Sequence, residues 1–417
     1  NRDCKECAGW LMKQLKSAGF KSRIIPTSGK PLVFGEFNGG SKEPTVLYYA
    51  HYDVQPTDPE DEWNTSPFEP TLINGRMYAR GASDDKGQLF SSIKAMETLI
   101  KLGKVKRRVK VILEGEEESG SGGINKFIRA NSRLCKADIL MATDTAMSPS
   151  GAPAIVMGLR GVIMLTAELT GPRNDLHSGS HGGTAPNVAL QMARLISTLH
   201  HQDGRVAVKG FYDTVKPPSK RERTAANSAP LNAGKYKTET GVPPVGGEKR
   251  FTPIERLGFR PTIEINGLHS GYGGKGGKTI IPAKAVAKIT ARLVPDQDPA
   301  KTMKAIIKHL ENHAPQGLKL TISETGIGGP GFRLNINSEI ARKTAKILKG
   351  LTNKKTVFTW DGASIPVLTE LSQRAGAELL ISGFGKQIDN IHAPNESFSM
   401  EQFKLGYLYM GLSLTSL

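Results

Sequence analysis

Imidazoles and carboxylates recur in this chain just after short apolar runs, where β-strands would end. The run Val46–Ala50 closes on His51-Tyr52-Asp53, and Ala82-Ser83-Asp84-Asp85-Lys86-Gly87 follows further on. A second apolar run leads into Glu114-Gly115-Glu116-Glu117-Glu118-Ser119-Gly120, and a third into Asp144. His392 stands in Ile391-His392-Ala393-Pro394-Asn395-Glu396. Nitrogen and oxygen donors of these types bind borderline divalent ions such as zinc. Two histidines and three carboxylates exceed what a single tetrahedral catalytic zinc takes, because such an ion keeps one position open. They suit two ions sharing a bridging carboxylate, and the chemistry implied is hydrolysis by a metal-activated water.

Each position also has a purely structural alternative. His51 alone would more often be a core histidine. In an extended segment, however, residues i and i+2 face one side, so Asp53 can fix the imidazole in the tautomer that binds a metal. Asp84 and Asp85 could cap a following helix, where Asp is favoured and the helix dipole rewards negative charge. Glu116, Glu117 and Glu118 repel one another, an arrangement that a purely structural loop would avoid.

The elements that must position these groups can be read from periodicity. Helices are predicted at 6–19, 86–102 and 122–130, and strands at 21–25, 31–37, 45–50, 108–114 and 137–142. This alternation gives an α/β sheet covered by helices, with ligands at the carboxyl ends of strands. At Leu159 the texture changes. A strand at 162–169 leads to a turn at 174–183, a helix at 185–200 and a Pro/Gly/Lys-rich stretch at 203–260. Strands at 261–266 and 286–294, a helix at 299–313 and a strand at 317–323 follow. After Gly326–Gly331 the α/β rhythm resumes, with helices at 337–350 and 400–414 and strands at 355–359 and 377–382. The expected architecture is a helix-covered mixed sheet forming a catalytic domain (1–158 and 329–417), interrupted by an inserted α+β lid and dimerisation domain (159–328).

The ordered motifs His51-x-Asp53, Ala82–Gly87, Glu117-Glu118-Ser119-Gly120-Ser121, Asp144 and His392 resemble those of the M20 family of metallopeptidases. Arg173-Asn174-Asp175-Leu176-His177-Ser178-Gly179 and Gly362-Ala363-Ser364-Ile365-Pro366 are similar to the carnosinase-like dipeptidase branch. The resemblance implies two Zn2+ per subunit, with Mn2+ or Co2+ as substitutes. One ion would take His51 and Asp144 and the other Glu118 and His392, with Asp84 bridging through a residue whose following peptide bond is cis. It implies Glu117 as general base, Asp53 as the carboxylate behind His51, and Glu114 and Glu116 as outside the machinery. It further implies a homodimer in which His177 reaches the neighbouring active site. Thr279, Arg292, Ser364 and Ala363 would grip the substrate, Ala363 standing where the family usually has a second glycine. The implied activity is hydrolysis of dipeptides or very short peptides. An N-acyl-amino-acid deacylase would use the same metal chemistry. A non-enzymatic binding protein on this scaffold is opposed by the intact ligand set.

Composition narrows the alternatives. With 417 residues, two domains are the default. A hydrophobic content of 38% and a mean hydropathy of −0.31 describe a globular chain, and no apolar run reaches the length of a membrane helix. The net charge of +17 raises nucleic acid as a partner, but the excess is dispersed. Its local maximum, Lys216–Arg260, holds ten Lys/Arg against four Glu mixed with Pro and Gly. Aromatics are only 6% of the chain and no RRM, KH or zinc-finger pattern accompanies the charge, so no specific nucleic acid and no membrane are expected. The chain opens at Asn1 without an apolar leader, and a cytoplasmic setting is the expectation, a secreted form being the alternative. Three cysteines do not make a disulfide framework, and Cys4-x-x-Cys7 sits in a helical pattern. Gly271-Tyr272-Gly273-Gly274-Lys275-Gly276-Gly277-Lys278-Thr279 is no nucleotide loop, because Tyr272 occupies the required first glycine and no helix follows. His181, His200, His201, His269, His309 and His313 receive no role and are expected at the surface.

Overall fold

The structure is a computed structural model that describes residues 2–40, 42–228, 231–362 and 364–417. Ala363, one of the expected substrate contacts, lies outside the described residues. The fold is mixed α/β. By internal contacts the chain forms two units: Asn1–Met157 with Leu334–Thr359 and Val367–Leu417, and Gly158–Arg333 with Trp360–Pro366. The short exchange at Trp360–Pro366 departs from a continuous 329–417 segment. Its cause is aromatic packing: Trp360 meets Phe259 of the same unit edge-on, ring centroids 4.4 Å apart.

The first unit is built on a six-stranded sheet in the order Lys21–Ile25, Leu32–Asn38, Arg108–Glu114, Val46–His51, Ile139–Ala142, Glu378–Ile381. The first three pair antiparallel and the last four parallel. Strands covered on both faces read as continuous apolar runs rather than alternating ones. Val46–His51 and Ile139–Ala142 are accordingly buried at every position. Parallel pairing brings the carboxyl ends of four strands to one edge, which is where ligand-binding loops of α/β sheets gather. The helix Lys86–Lys101 starts directly after Asp85 and packs against the helix Met400–Ser416.

The second unit is an α+β sandwich. Its antiparallel sheet runs Thr262–Ser270, Lys284–Leu293, Gly161–Thr170, Lys319–Gly329. Alternate residues Ile163, Leu165, Ala167 and Leu169 join Ala287, Ile289 and Ala291 in a core under the helices Val188–Ser197 and Pro299–Asn312. Val162, Met164, Thr166, Thr290 and Arg292 occupy the alternate positions, on the opposite face.

Three sequence expectations need correcting. The 203–260 stretch contains the helices Lys220–Asn227, Ala233–Thr240 and Pro253–Phe259. Two of them begin with capping boxes, Ser219 with Glu222 and Thr252 with Glu255, a signature that was readable in advance. Much of the basic charge there is neutralised locally, with Arg260 on Glu248 at 2.7 Å and Arg223 on Glu255 at 3.2 Å. His309 is buried rather than exposed, because its Nε2 meets Thr198 Oγ1 at 3.0 Å and its ring stacks on His313. The strand expected to end at 323 continues to Gly329, its glycines falling at register shifts where an extra residue is absorbed. Among the described residues, no helix is long and apolar enough to cross a membrane.

Candidate metal centre

Sheet geometry explains how residues far apart in sequence meet. His51 is the last residue of its strand, fully buried, and Glu117–Ser119 form a single turn beyond Glu114. Asp144 lies two residues past Ala142, and His392 arrives on the loop ahead of the short strand Ser397–Ser399. Asp84 stands between the two imidazoles. Its Oδ1 is 2.9 Å from His51 Nε2, and its Oδ2 is 2.8 Å from His392 Nε2. The Asp84–Asp85 peptide bond is cis.

The donor atoms fall into two groups, His51 with Asp84 and Asp144, and Asp84 with Glu118 and His392, each within 4.8 Å. Asp84 belongs to both. Asp144 Oδ2 lies 3.7 Å from His51 Nε2, and Glu118 Oε1 lies 3.2 Å from His392 Nε2. Glu118 Oε1 is buried without a hydrogen-bond donor, although buried polar atoms are normally satisfied. An orphaned carboxylate oxygen facing an imidazole and a second carboxylate is what a cation would complete. The donor set, with one imidazole and two carboxylates on each side, suits borderline or hard divalent ions.

Glu117 belongs to neither group, and among the described residues its carboxylate accepts no hydrogen bond. Burial pushes its pKa up to about 8; Asp144 and Glu118 add to the rise while His51 opposes it. Glu114 and Glu116 are consumed by structure. Glu114 accepts Tyr49 Oη and Ser121 Oγ, the latter at 3.1 Å. Glu116 Oε2 accepts the backbone N–H of Gly123 at 2.9 Å.

Burial alone would lower the His51 pKa, but the adjacent Asp53 and Asp84 carboxylates hold it well above the ordinary imidazole range. The contact with Asp84 raises His392 to about 9 against the effect of its burial. Asp84 would be raised by burial, yet the two imidazoles keep it below the usual carboxylate range. Metal-free, the site therefore holds protons where it would otherwise hold cations. Metal ligands must be deprotonated to bind. Zn2+ titration of the metal-free protein between about pH 6 and 8 is expected to release protons and to show affinity rising with pH. Calorimetry in buffers of different ionisation enthalpy reads this directly; a pH-independent affinity would mean that the imidazoles enter the reaction neutral.

Several contributions escaped sequence reasoning. Beyond the expected position of Asp53 behind His51, with Oδ1 3.3 Å from Nδ1, the carboxylate has further partners. It also accepts the backbone N–H groups of Glu117 at 3.2 Å and Glu118 at 3.1 Å, tying the acidic turn to the imidazole. Gln55 Nε2 donates to Glu118 Oε2 at 2.6 Å. Asp85 takes the N-cap position without a side-chain cap and instead turns a carboxylate oxygen to the backbone N–H of His51 at 3.4 Å.

The remaining predicted residues lie in the second unit. His177 and Thr279 are brought together by a two-stranded ribbon in which His177 pairs with Ile280 and Ser178 N donates to Thr279 O at 3.0 Å. His177 is exposed, and its Nδ1 accepts the Gly179 N–H at 3.1 Å. Arg292 and Ser364 meet directly, Nη1 to Oγ at 2.8 Å. Arg160, unremarked in the sequence, donates to Gly362 O at 3.0 Å. Burial and then the neighbouring Arg292 charge bring its guanidinium down to about 10. Paired guanidiniums beside a hydroxyl favour an anion.

The sequence profile of Peptidase family M20/M25/M40 matches residues 47–415. A Cys-Gly metallodipeptidase, dug1, of Schizosaccharomyces pombe is 31% identical over 391 residues, covering 90% of this chain and 80% of that protein. A Beta-Ala-His dipeptidase of Rattus norvegicus is 27% identical over 381 residues, covering 90% of this chain and 77% of its own. Among solved structures, an M20 family metallo-carboxypeptidase, Sso-CP2, from Sulfolobus solfataricus superposes with a TM-score of 0.87 at 31% identity, over 99% of this chain and 93% of that one. Human carnosine dipeptidase 1 shares the fold, with a TM-score of 0.75 at 24% identity over 98% and 90% of the two chains.

Proposed function

This chain belongs to peptidase family M20/M25/M40 and is a peptide-bond hydrolase, and we propose that it cleaves dipeptides and other very short peptides at a centre of two divalent cations. The observation that carries the reading is the division of five donor residues into two groups sharing Asp84. His51 and Asp144 would hold one ion and Glu118 and His392 the other, with Asp84 between them. Zinc is the expected metal, with Mn2+ or Co2+ as substitutes. Two such ions would lower the pKa of a shared water toward neutrality and polarise the scissile carbonyl.

The protein groups do the rest. Glu117 accepts the water's proton and returns it to the leaving amine. Asp53 orients His51 and the turn that carries Glu117 and Glu118. Arg292, Thr279 and Ser364, together with Ala363, grip the substrate carboxylate, Arg292 being suited to a planar, bidentate partner. His177 donates to the developing oxyanion in the active site of a second subunit, so the assembly is a homodimer. Exposed apolar side chains on the second unit, Met164 and Ile327, supply surface of the kind that association covers.

A panel assay tests the substrate class. Dipeptides including Cys-Gly and β-Ala-His, tripeptides and N-acyl amino acids are incubated with chelator-stripped protein and with protein reloaded with Zn2+, Mn2+ or Co2+. Dipeptide hydrolysis lost on stripping and restored on reloading is expected. Turnover of N-acyl amino acids alone would replace the reading by a deacylase, and inert loaded protein would end it.

A further inference from the structure

Glu396, four residues past His392, is fully buried and accepts four hydrogen bonds. Its Oε1 takes the backbone N–H groups of Ser83 at 2.9 Å and Asp84 at 3.0 Å. Its Oε2 takes the Gly81 N–H at 3.0 Å and Arg80 Nη1 at 2.8 Å. A carboxylate offers about four lone-pair sites, so the acceptor is saturated. Three of the donors are backbone N–H groups of the segment that ends in Asp84, and the backbone adds a bond from Ala79 N to Glu396 O at 3.1 Å.

Arg80 extends the clamp. Its Nη2 donates to Pro56 O at 3.0 Å, and its guanidinium lies over the Trp63 ring. The segment leaving His51 and Asp53, the segment bearing Asp84 and the segment bearing His392 are therefore joined at one buried ion pair. His392 and Asn395 both have left-handed backbones, at φ 64° and 63°. Such conformations persist in non-glycine residues when the surroundings over-determine them. Here Asn395 receives Asn64 N at 2.7 Å and donates to Glu62 O at 2.9 Å.

We propose that Glu396, through Arg80 and the Gly81–Asp84 backbone, is the positioning residue that aims Asp84 at both His51 and His392 and so sets the spacing of the two cation sites. The inference rests on the dinuclear reading. An Asp84 free to rotate could serve one imidazole well; serving both requires its backbone to be fixed from behind, and Glu396 is what fixes it.

The test is Co2+ titration of the metal-free protein followed by visible absorption, on wild type and Glu396→Gln. A glutamine of the same length presents an NH2 group to at least two of the N–H donors that the carboxylate accepted. Affinity is expected to fall about ten- to a hundredfold, the scale on which supporting hydrogen bonds act on metal ligands. The d–d absorption bands should change with it, while circular dichroism stays that of the folded protein. A merely structural role would lower the melting temperature and leave the affinity and spectrum of the folded protein alone; that result overturns the inference. Should Glu396→Gln fail to fold, Glu396→Asp carries the same readout, since it keeps the charge but withdraws it from the backbone donors, and wild-type Co2+ binding there is equally fatal. If wild-type protein binds no Co2+, the dinuclear reading itself has failed and this inference goes with it.

Discussion

Glu117→Gln is expected to abolish nearly all turnover, a loss of about 10²- to 10⁴-fold, which is the usual contribution of a positioned general base. Its metal content should stay that of the wild type. The amide keeps the shape of the side chain but cannot take a proton from water, and Glu117 lies outside both donor groups. Glu118→Gln should do the opposite first, weakening the ion held with Asp84 and His392, because Glu118 Oε1 is the donor that faces them. Metal analysis beside kcat separates the two. If the phenotypes are exchanged, Glu116 and Glu117 are the functional pair. The Glu116 bond to Gly123 N argues against that outcome, since it engages Glu116 in closing the turn.

Mixing two inactive proteins should restore activity. His177→Ala removes a donor of the kind whose loss costs about 10²- to 10³-fold in turnover, and Glu117→Gln removes the base. In a homodimer whose sites each draw His177 from the opposite chain, a mixed dimer contains one site with both residues intact. Random exchange makes half the dimers mixed, so about a quarter of wild-type activity is expected from the isologous pairing. No recovery, with subunit exchange demonstrated by mass, would place His177 in its own chain's chemistry or in none.

The parts of this molecule that were legible in the sequence are those written as local patterns. Val46–Ala50, Arg108–Glu114 and the 137–142 run are apolar and β-branched enough to be read as buried strands, and the residues that follow them could be read as ligands by type alone. Groups that act across great sequence distance left no comparable trace. Glu396 was visible as the end of a motif, but its bonds to Gly81, Ser83 and Asp84 span more than three hundred residues and follow no period. The second role of Asp53, toward the backbone of Glu117 and Glu118, is hidden for the same reason. Helices in the 203–260 stretch were missed because proline and glycine content outweighed the capping signals at Ser219 and Thr252. The helix Pro366–Ala375 and the strand Ala154–Leu159 were missed as well, each following a Gly/Pro-rich segment that reads as loop.

The insertion between Met157 and Leu334 has a consequence in time as well as space. Leu334 N donates to Met157 O at 2.9 Å, so the chain returns to the place it left. Closing a long flexible loop costs entropy that grows with its length, whereas a folded insert whose ends already meet spares the chain most of that search. Domains fold as units, the earlier ones first during synthesis. His51, Asp84 and Asp144 are all made before the insertion, but Glu118 and Asp84 must wait for His392. The unit that carries all five donors is completed only by Leu334–Thr359 and Val367–Leu417, so the half that brings His392 is synthesised after the insert and joins a chain whose insert can already be folded.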